Sequence, residues 1–309
     1  MLTLSKVSAI PSSLVLENDR LCVEVAPPGS YTKARFCWGA FISQVRLKAG
    51  NRVYTFCTSE NEGETGPFSG GAGLCNEFDL FHPVGYEDAY VGHWFPKLGV
   101  GLVRRKDEDD YFFHRDYEMA PFSLQVERRP GQLCFVNLPW PARGYAARLE
   151  QRLSLEENRL RIDYRLDNVG TKALATREYR HNFLAIDQRG PSSGLVLRLP
   201  FSHEMLNDDE SLQVKRMDVG GEWHWNGASE TLVRKLALPP KGRSKTGWEL
   251  EWIPDGVGVR EEVSDPLAAF HLYTTPRLVS PEAFVDISVD PGGVQTWSRV
   301  YTFFARDAD

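Results

Sequence analysis

The chain has 309 residues, of which 42% are hydrophobic, 12% aromatic and 25% charged. This composition can bury a large core, and it excludes a disordered or fibrous protein. The formal net charge of -6 argues against a nucleic-acid surface or a basic membrane patch.

Taken in chain order, the first twenty residues have no continuous apolar stretch and reach Pro11 and charged side chains early, which predicts no signal peptide. No run approaches the roughly 18 apolar residues of a spanning helix, so no membrane partner is expected. Cys22, Cys37, Cys57, Cys75 and Cys134 are odd in number and widely spaced, with no C-x-x-C pair. They predict free thiols buried as small hydrophobes in a cytoplasmic protein.

Period-2 alternation marks the strands. It is visible at Leu21–Val25, from Phe41 to Leu47, at Leu195–Leu199 and from Phe284 to Val289. It is clearest where Leu160, Ile162, Tyr164 and Leu166 alternate with Arg161, Asp163, Arg165 and Asp167. Leu149, Gln151, Leu153 and Leu155 hold the same period upstream, and Glu156-Glu157-Asn158-Arg159 supplies a turn, so the pair reads as a hairpin with one face in a core. Helical periodicity is almost missing. With 26 Gly and 19 Pro between short strands, the pattern predicts two large antiparallel sheets packed face to face. No repeat and no linker is visible, and residues 1–309 read as one domain. The segment from Ser59 to Gly73 reads as a long loop.

The seven histidines form no H-x-H, H-x-x-x-H or H-E-x-x-H pattern, so no metal is expected. Nucleotide-binding glycine motifs and G-x-S-x-G are also missing, and Gly99-Val100-Gly101 reads as a turn or bulge. Three polar and aromatic patches remain: Ala72 to Asp79 with Gly92 to Gly101, then Arg177 to Leu184, then Val279 to Val285 leading into Asp290-Pro291-Gly292 and Trp297 to Phe303. If the second is a strand, Arg177, Tyr179 and His181 share one face, a grouping that an apolar core would not choose. Arg180 then lies on the far face, paired with a carboxylate.

These patches resemble the galactose mutarotase-like superfamily, the aldose 1-epimerase relatives. The resemblance covers nearly the whole chain: a Trp38–Ile42 strand, the hairpin ending in Leu166 to Gly170, His181-Asn182-Phe183, and the run from Ser280-Pro281-Glu282 through Pro291-Gly292 to Tyr301-Thr302-Phe303. It implies an all-β antiparallel supersandwich and a cofactor-independent aldose 1-epimerase. His181 takes the place of the general acid and Glu282 that of the general base. Together they open and reclose the ring of a hexose, or of an acidic hexose derivative, held between them.

Asn76, Glu77, Arg177, His93, Lys97 and Arg35 are the candidate substrate contacts, and Trp94, Trp223, Trp225 and Tyr273 are candidates to stack on a sugar. The sequence departs from the family where Glu77 follows Asn76 in place of an Arg, and where Phe284 stands in place of a Gln two residues after the base. Both departures point to a substrate of its own. The expected partner is a small-molecule sugar and not a nucleic acid, with the protein a monomer or homodimer. The alternative is an inactive carbohydrate-binding protein on the same scaffold, and a hydrolase would want a second carboxylate.

Overall fold

The computed structural model describes residues 14–61, 70–201, 204–205, 212–216, 221–227, 230–238 and 247–306. Most of the predicted Ser59–Gly73 loop, residues 62–69, lies outside them. Strands carry almost all the regular structure: the described residues contain no α-helix, only a 3₁₀ turn at Ile253–Asp255. No helix is long and apolar enough to cross a membrane among the described residues.

The predicted hairpin forms from Ala147–Glu156 and Arg159–Asn168, paired antiparallel from Ala147↔Asn168 to Glu156↔Arg159. Its two-residue turn places Glu157 at φ +49. Alternation decides the faces, because successive strand side chains point to opposite sides. Leu149, Leu153, Ile162 and Leu166 are each at most 1% exposed, and such burial contributes roughly 1.5–3 kcal/mol per side chain.

That hairpin sits within one ten-stranded sheet, between Val294–Ala305 on one side and Gln132–Leu138 on the other. A second ten-stranded sheet has at its centre Leu74–Phe78, Leu174–Asn182, Val279–Val289 and Ala269–Thr274, in that order. The facing sides interleave into one core that includes Leu47, Phe56, Leu74 and Val285 from one sheet and Leu149, Ile162, Trp248 and Phe303 from the other. A third, three-stranded sheet, Trp94–Lys97, Gly101–Arg104 and Met119–Pro121, stands apart.

Two expectations need correction. Trp38–Phe41 is not a strand; the strand begins at Ile42, because Ala40 is turned to φ +53 and breaks the extended backbone. Trp223 and Trp225 are core residues, 0% and 2% exposed, with no face left for a sugar. One glycine is required: Gly73 has φ +54, and a Cβ there would lie 2.0 Å from the Ile42 carbonyl oxygen. Gly73 thus sets the start of Leu74–Phe78, the strand that carries Glu77.

The core between the two sheets holds a polar seam. Arg299 reaches Glu178 at 2.7 Å and Glu261 at 2.8 Å, with all three side chains 0% exposed. The Trp248 indole donates to Glu261 and the Trp297 indole to Glu178, while Tyr301 Oη donates to Glu261 at 2.7 Å. Arg180 does lie on this face as expected, but it donates to Tyr164 Oη and to the carbonyl oxygens of Ala40 and Leu74. Those oxygens take its two terminal nitrogens where a carboxylate was expected, and its Nε has no partner among the described residues.

Candidate active site

The outward face of the second sheet carries the other half of the same strands. Register puts Cys75 and Glu77 opposite His181 and Tyr179, and puts Phe284 opposite Tyr179 and Asp286 opposite Arg177. His271 stands opposite Glu282, and Tyr273 opposite Ser280. Residues directly opposite one another share a face, so three strands bring Glu77, His181 and Glu282 together.

His181 lies between the two carboxylates. Nε2 is 2.9 Å from Glu77 Oε2 and 3.0 Å from Tyr179 Oη. Nδ1 is 2.8 Å from Glu282 Oε1, yet it has no hydrogen-bond partner among the described residues, because the carboxylate oxygen sits off the direction of the ring N–H. The contact is therefore one of charge, and the Nδ1 proton has no aligned acceptor. Ser280 accepts from the Asn182 backbone N–H at 3.0 Å and donates to Glu282 Oε1 at 3.1 Å, which holds the carboxylate beside the imidazole. Phe183 lies parallel to the His181 ring at 5.3 Å and Phe36 meets it edge-on at 5.1 Å.

Glu77 is fully buried and surrounded by donors. Tyr179 donates to Oε2 at 2.7 Å and Arg35 Nε to the same oxygen at 3.1 Å, while Lys97 Nζ is 3.5 Å from Oε1. Burial pushes its carboxyl up, but Arg35, Lys97 and His181 outweigh burial and hold the pKa at about 2. Burial works against a charge on His181 as well; the Glu282 and Glu77 carboxylates outweigh it, and the pKa lies above the usual 6.5. The two carboxylates thus favour the cationic form of the imidazole between them. Arg35 covers this cluster, its guanidinium 4.7 Å from the Phe36 ring and 4.1 Å from the Phe113 ring.

The expected substrate contacts divide. Arg35 lies at the cluster, its Nη2 3.5 Å from His181 Nε2. Arg177 lies on the same face but is exposed and paired to Asp286 at 3.1 Å. With Phe81, His82, Lys235, His271 and Phe284 it lines a groove of about 710 Å³, whose lining includes neither His181 nor Glu282. Of the other four, Glu77 lies on this face but is covered, and the remaining three are not on it. Asn76 is turned to the seam, where Tyr164 donates to it, because it precedes Glu77 by one residue in a strand. Glu77 is 0% exposed beneath Arg35. Lys97 is buried and donates to the Phe78 and Asp79 carbonyl oxygens at 2.5 and 2.6 Å. His93 is exposed beside Tyr90 in the turn before the small sheet. Of the stacking candidates, Tyr273 is near, edge-on to Phe183 at 6.4 Å. Sequence reasoning missed Ser280 and Phe113 as members of the cluster; Ser280 was detectable, since it precedes Glu282 by two residues and so shares its face.

No protein-family model matches the chain, and no protein of curated function matches it in sequence. Solved structures do match in shape. A putative aldose 1-epimerase from Escherichia coli K12 aligns with a TM-score of 0.60 at 12% identity over 95% of this chain and 99% of its own. A galactose mutarotase-like protein from Clostridium acetobutylicum aligns at 0.59 and 11%, over 96% and 95%. The galactose 1-epimerase from Lactobacillus acidophilus NCFM aligns at 0.54 and 13%, over 96% and 95%.

Proposed function

We propose that this chain, which has the galactose mutarotase-like fold, is a single-domain aldose 1-epimerase-like isomerase. It interconverts the anomers of a hexose or an acidic hexose derivative, with His181 as general acid and Glu282 as general base. The observation that carries the reading is the placement of His181 Nδ1, a buried donor without an aligned acceptor, 2.8 Å from the Glu282 carboxylate. The sequence led us to expect the two groups on opposite sides of a sugar; they stand side by side. Mutarotation is compatible with this, because the hydroxyl that loses a proton and the ring oxygen that gains one are bonded to the same carbon.

In the step, the anomeric O–H proton passes to Glu282 while the oxygen's electron pair forms the aldehyde C=O. The bond from the anomeric carbon to the ring oxygen breaks, and that oxygen takes the Nδ1 proton of His181. Reclosure on either face of the aldehyde, with both transfers reversed, gives either anomer. Each transfer contributes roughly 10²–10⁴-fold, and neither needs a group beyond these two. Arg35 and Phe113 cover the pair, so substrate enters by moving them or along the groove over Phe284.

The 3% and 5% exposure of His181 and Glu282 favours a second reading, a carbohydrate-binding protein without turnover. Polarimetry of freshly dissolved pure anomers, over a panel of neutral and acidic hexoses, decides between them. Relaxation faster than the uncatalysed rate, and faster than with Glu282→Gln, supports the isomerase. Equal rates for wild type and variant on every sugar, with binding retained in calorimetry, support the binder.

A further inference from the structure

The geometry points to Glu77 as the positioning residue that sets the orientation and the protonated nitrogen of His181, an inference that rests on reading His181 as the general acid. Glu77 cannot touch a sugar, because Arg35 and Tyr179 close its substrate side and Lys97 lies on its other oxygen. It acts through the imidazole. With Nε2–H donating to Glu77 Oε2 at 2.9 Å and the ring held between Phe183 and Phe36, the other nitrogen is turned to Glu282. A histidine oriented through its second nitrogen by a carboxylate is a general device of acid and base catalysis.

The consequence for the reaction is specific. The proton that leaves is the one on Nδ1: its N–H bond breaks as the O–H bond to the ring oxygen forms. The imidazole left behind is the neutral form protonated on Nε2, still donating to Glu77. Reclosure returns the proton to Nδ1. An uncompensated carboxylate would make His181 too weak an acid, and Arg35 and Lys97 supply the compensation by neutralising Glu77. This also accounts for a Glu in a place where the sequence resemblance leads one to expect an Arg.

The charged and titratable groups facing His181 are Cys75 and Glu77 on one neighbouring strand, Glu282 on the other, Arg177 and Tyr179 on its own, and His271 one strand further. Arg35, Glu60 and Lys97 complete the set. Removing the Glu77 charge leaves Arg35 and Lys97 uncompensated, so the His181 cation is destabilised.

The test is ¹⁵N NMR of the histidine side chains in the full chain. Wild type is expected to show both His181 nitrogens protonated below its titration, and above it the neutral ring protonated on Nε2. Glu77→Gln is expected to lower the His181 pKa by roughly 1–3 pH units, to move the alkaline limb of anomer interconversion down with it, and Glu77→Asp to restore most of both. An unshifted His181 in Glu77→Gln overturns the inference. So does a neutral wild-type ring protonated on Nδ1, a result that needs no variant to fold. The NMR readout does not depend on turnover. A shifted His181 in a protein that interconverts no anomers keeps this inference and removes the epimerase reading, and an active protein with unshifted His181 does the reverse.

Discussion

The strand Leu174–Asn182 has two polar faces over residues 178–182, and there both are buried. Glu178, Arg180 and Asn182 turn inward to the seam between the sheets; Tyr179 and His181 turn outward to the candidate active site. Glu178 and Glu77 are both 0% exposed, yet their carboxyls behave oppositely. Burial raises Glu178, and Arg299, which it shares with Glu261, pulls it only part of the way back. Glu77 has two cations and His181 for one carboxylate and is held at about 2. The seam is a short supply of charge, one Arg299 shared by Glu178 and Glu261, which suits a joint. The site has charge in excess, two cations and His181 around Glu77, which suits chemistry.

The comparison can be broken, largest effect first. Arg299→Met leaves Glu178 and Glu261 buried without their cation. It is expected to lower stability by about 3–5 kcal/mol in urea denaturation; a loss below 1 kcal/mol would show that the seam does not hold the sheets. Glu282→Gln is expected to slow anomer interconversion by roughly 10²–10⁴-fold, about 3–5 kcal/mol on the barrier, with little movement of the urea midpoint. Tyr301→Phe removes the hydroxyl that donates to Glu261 and is expected to lose about 1–3 kcal/mol of stability while leaving turnover intact. Arg177→Ala breaks an exposed pair with Asp286 and should change stability by less than about 1 kcal/mol, so any larger effect on turnover would show that the groove holds substrate.

Two groups of the site also respond oppositely to pH. Glu77 is depressed, so its contribution is fully present above about 4.5 and is lost as the pH falls toward 2. His181 is raised, so its contribution is fully present below 6.5 and is lost as the pH rises through the folded value. A stability profile measured from pH 2 to 10 should therefore lose ground at both ends in the wild type. In Glu77→Gln the acid loss should shrink.

The strands were legible because their alternation is strict: Leu160 to Leu166 and the facing Leu149 to Leu155 predict the hairpin almost to the residue. Arg177, Tyr179 and His181 were placed on one face by the same parity. Parity was not applied to Ala72–Asp79, where the apolar Leu74, Cys75 and Phe78 do not alternate. As a strand it sends Asn76 and Glu77 to opposite faces, and no contact with one sugar can use both. Lys97 was illegible for a different reason. A lysine is nearly always solvated, and nothing near it in the sequence announces that a carboxylate and two carbonyl oxygens twenty residues upstream will bury it. His93 was grouped with Lys97 by proximity in sequence, but it precedes the strand Trp94–Lys97 while Lys97 ends it.

Lys97 has a consequence for the order of assembly. It belongs to the small three-stranded sheet, while its three acceptors belong to the strand end at Glu77, Phe78 and Asp79. Until the small sheet docks, Glu77 lacks one of its two cations and the charge on His181 is set by a different sum. The charge state of a single histidine would then report, at the candidate active site, on whether the small sheet is docked.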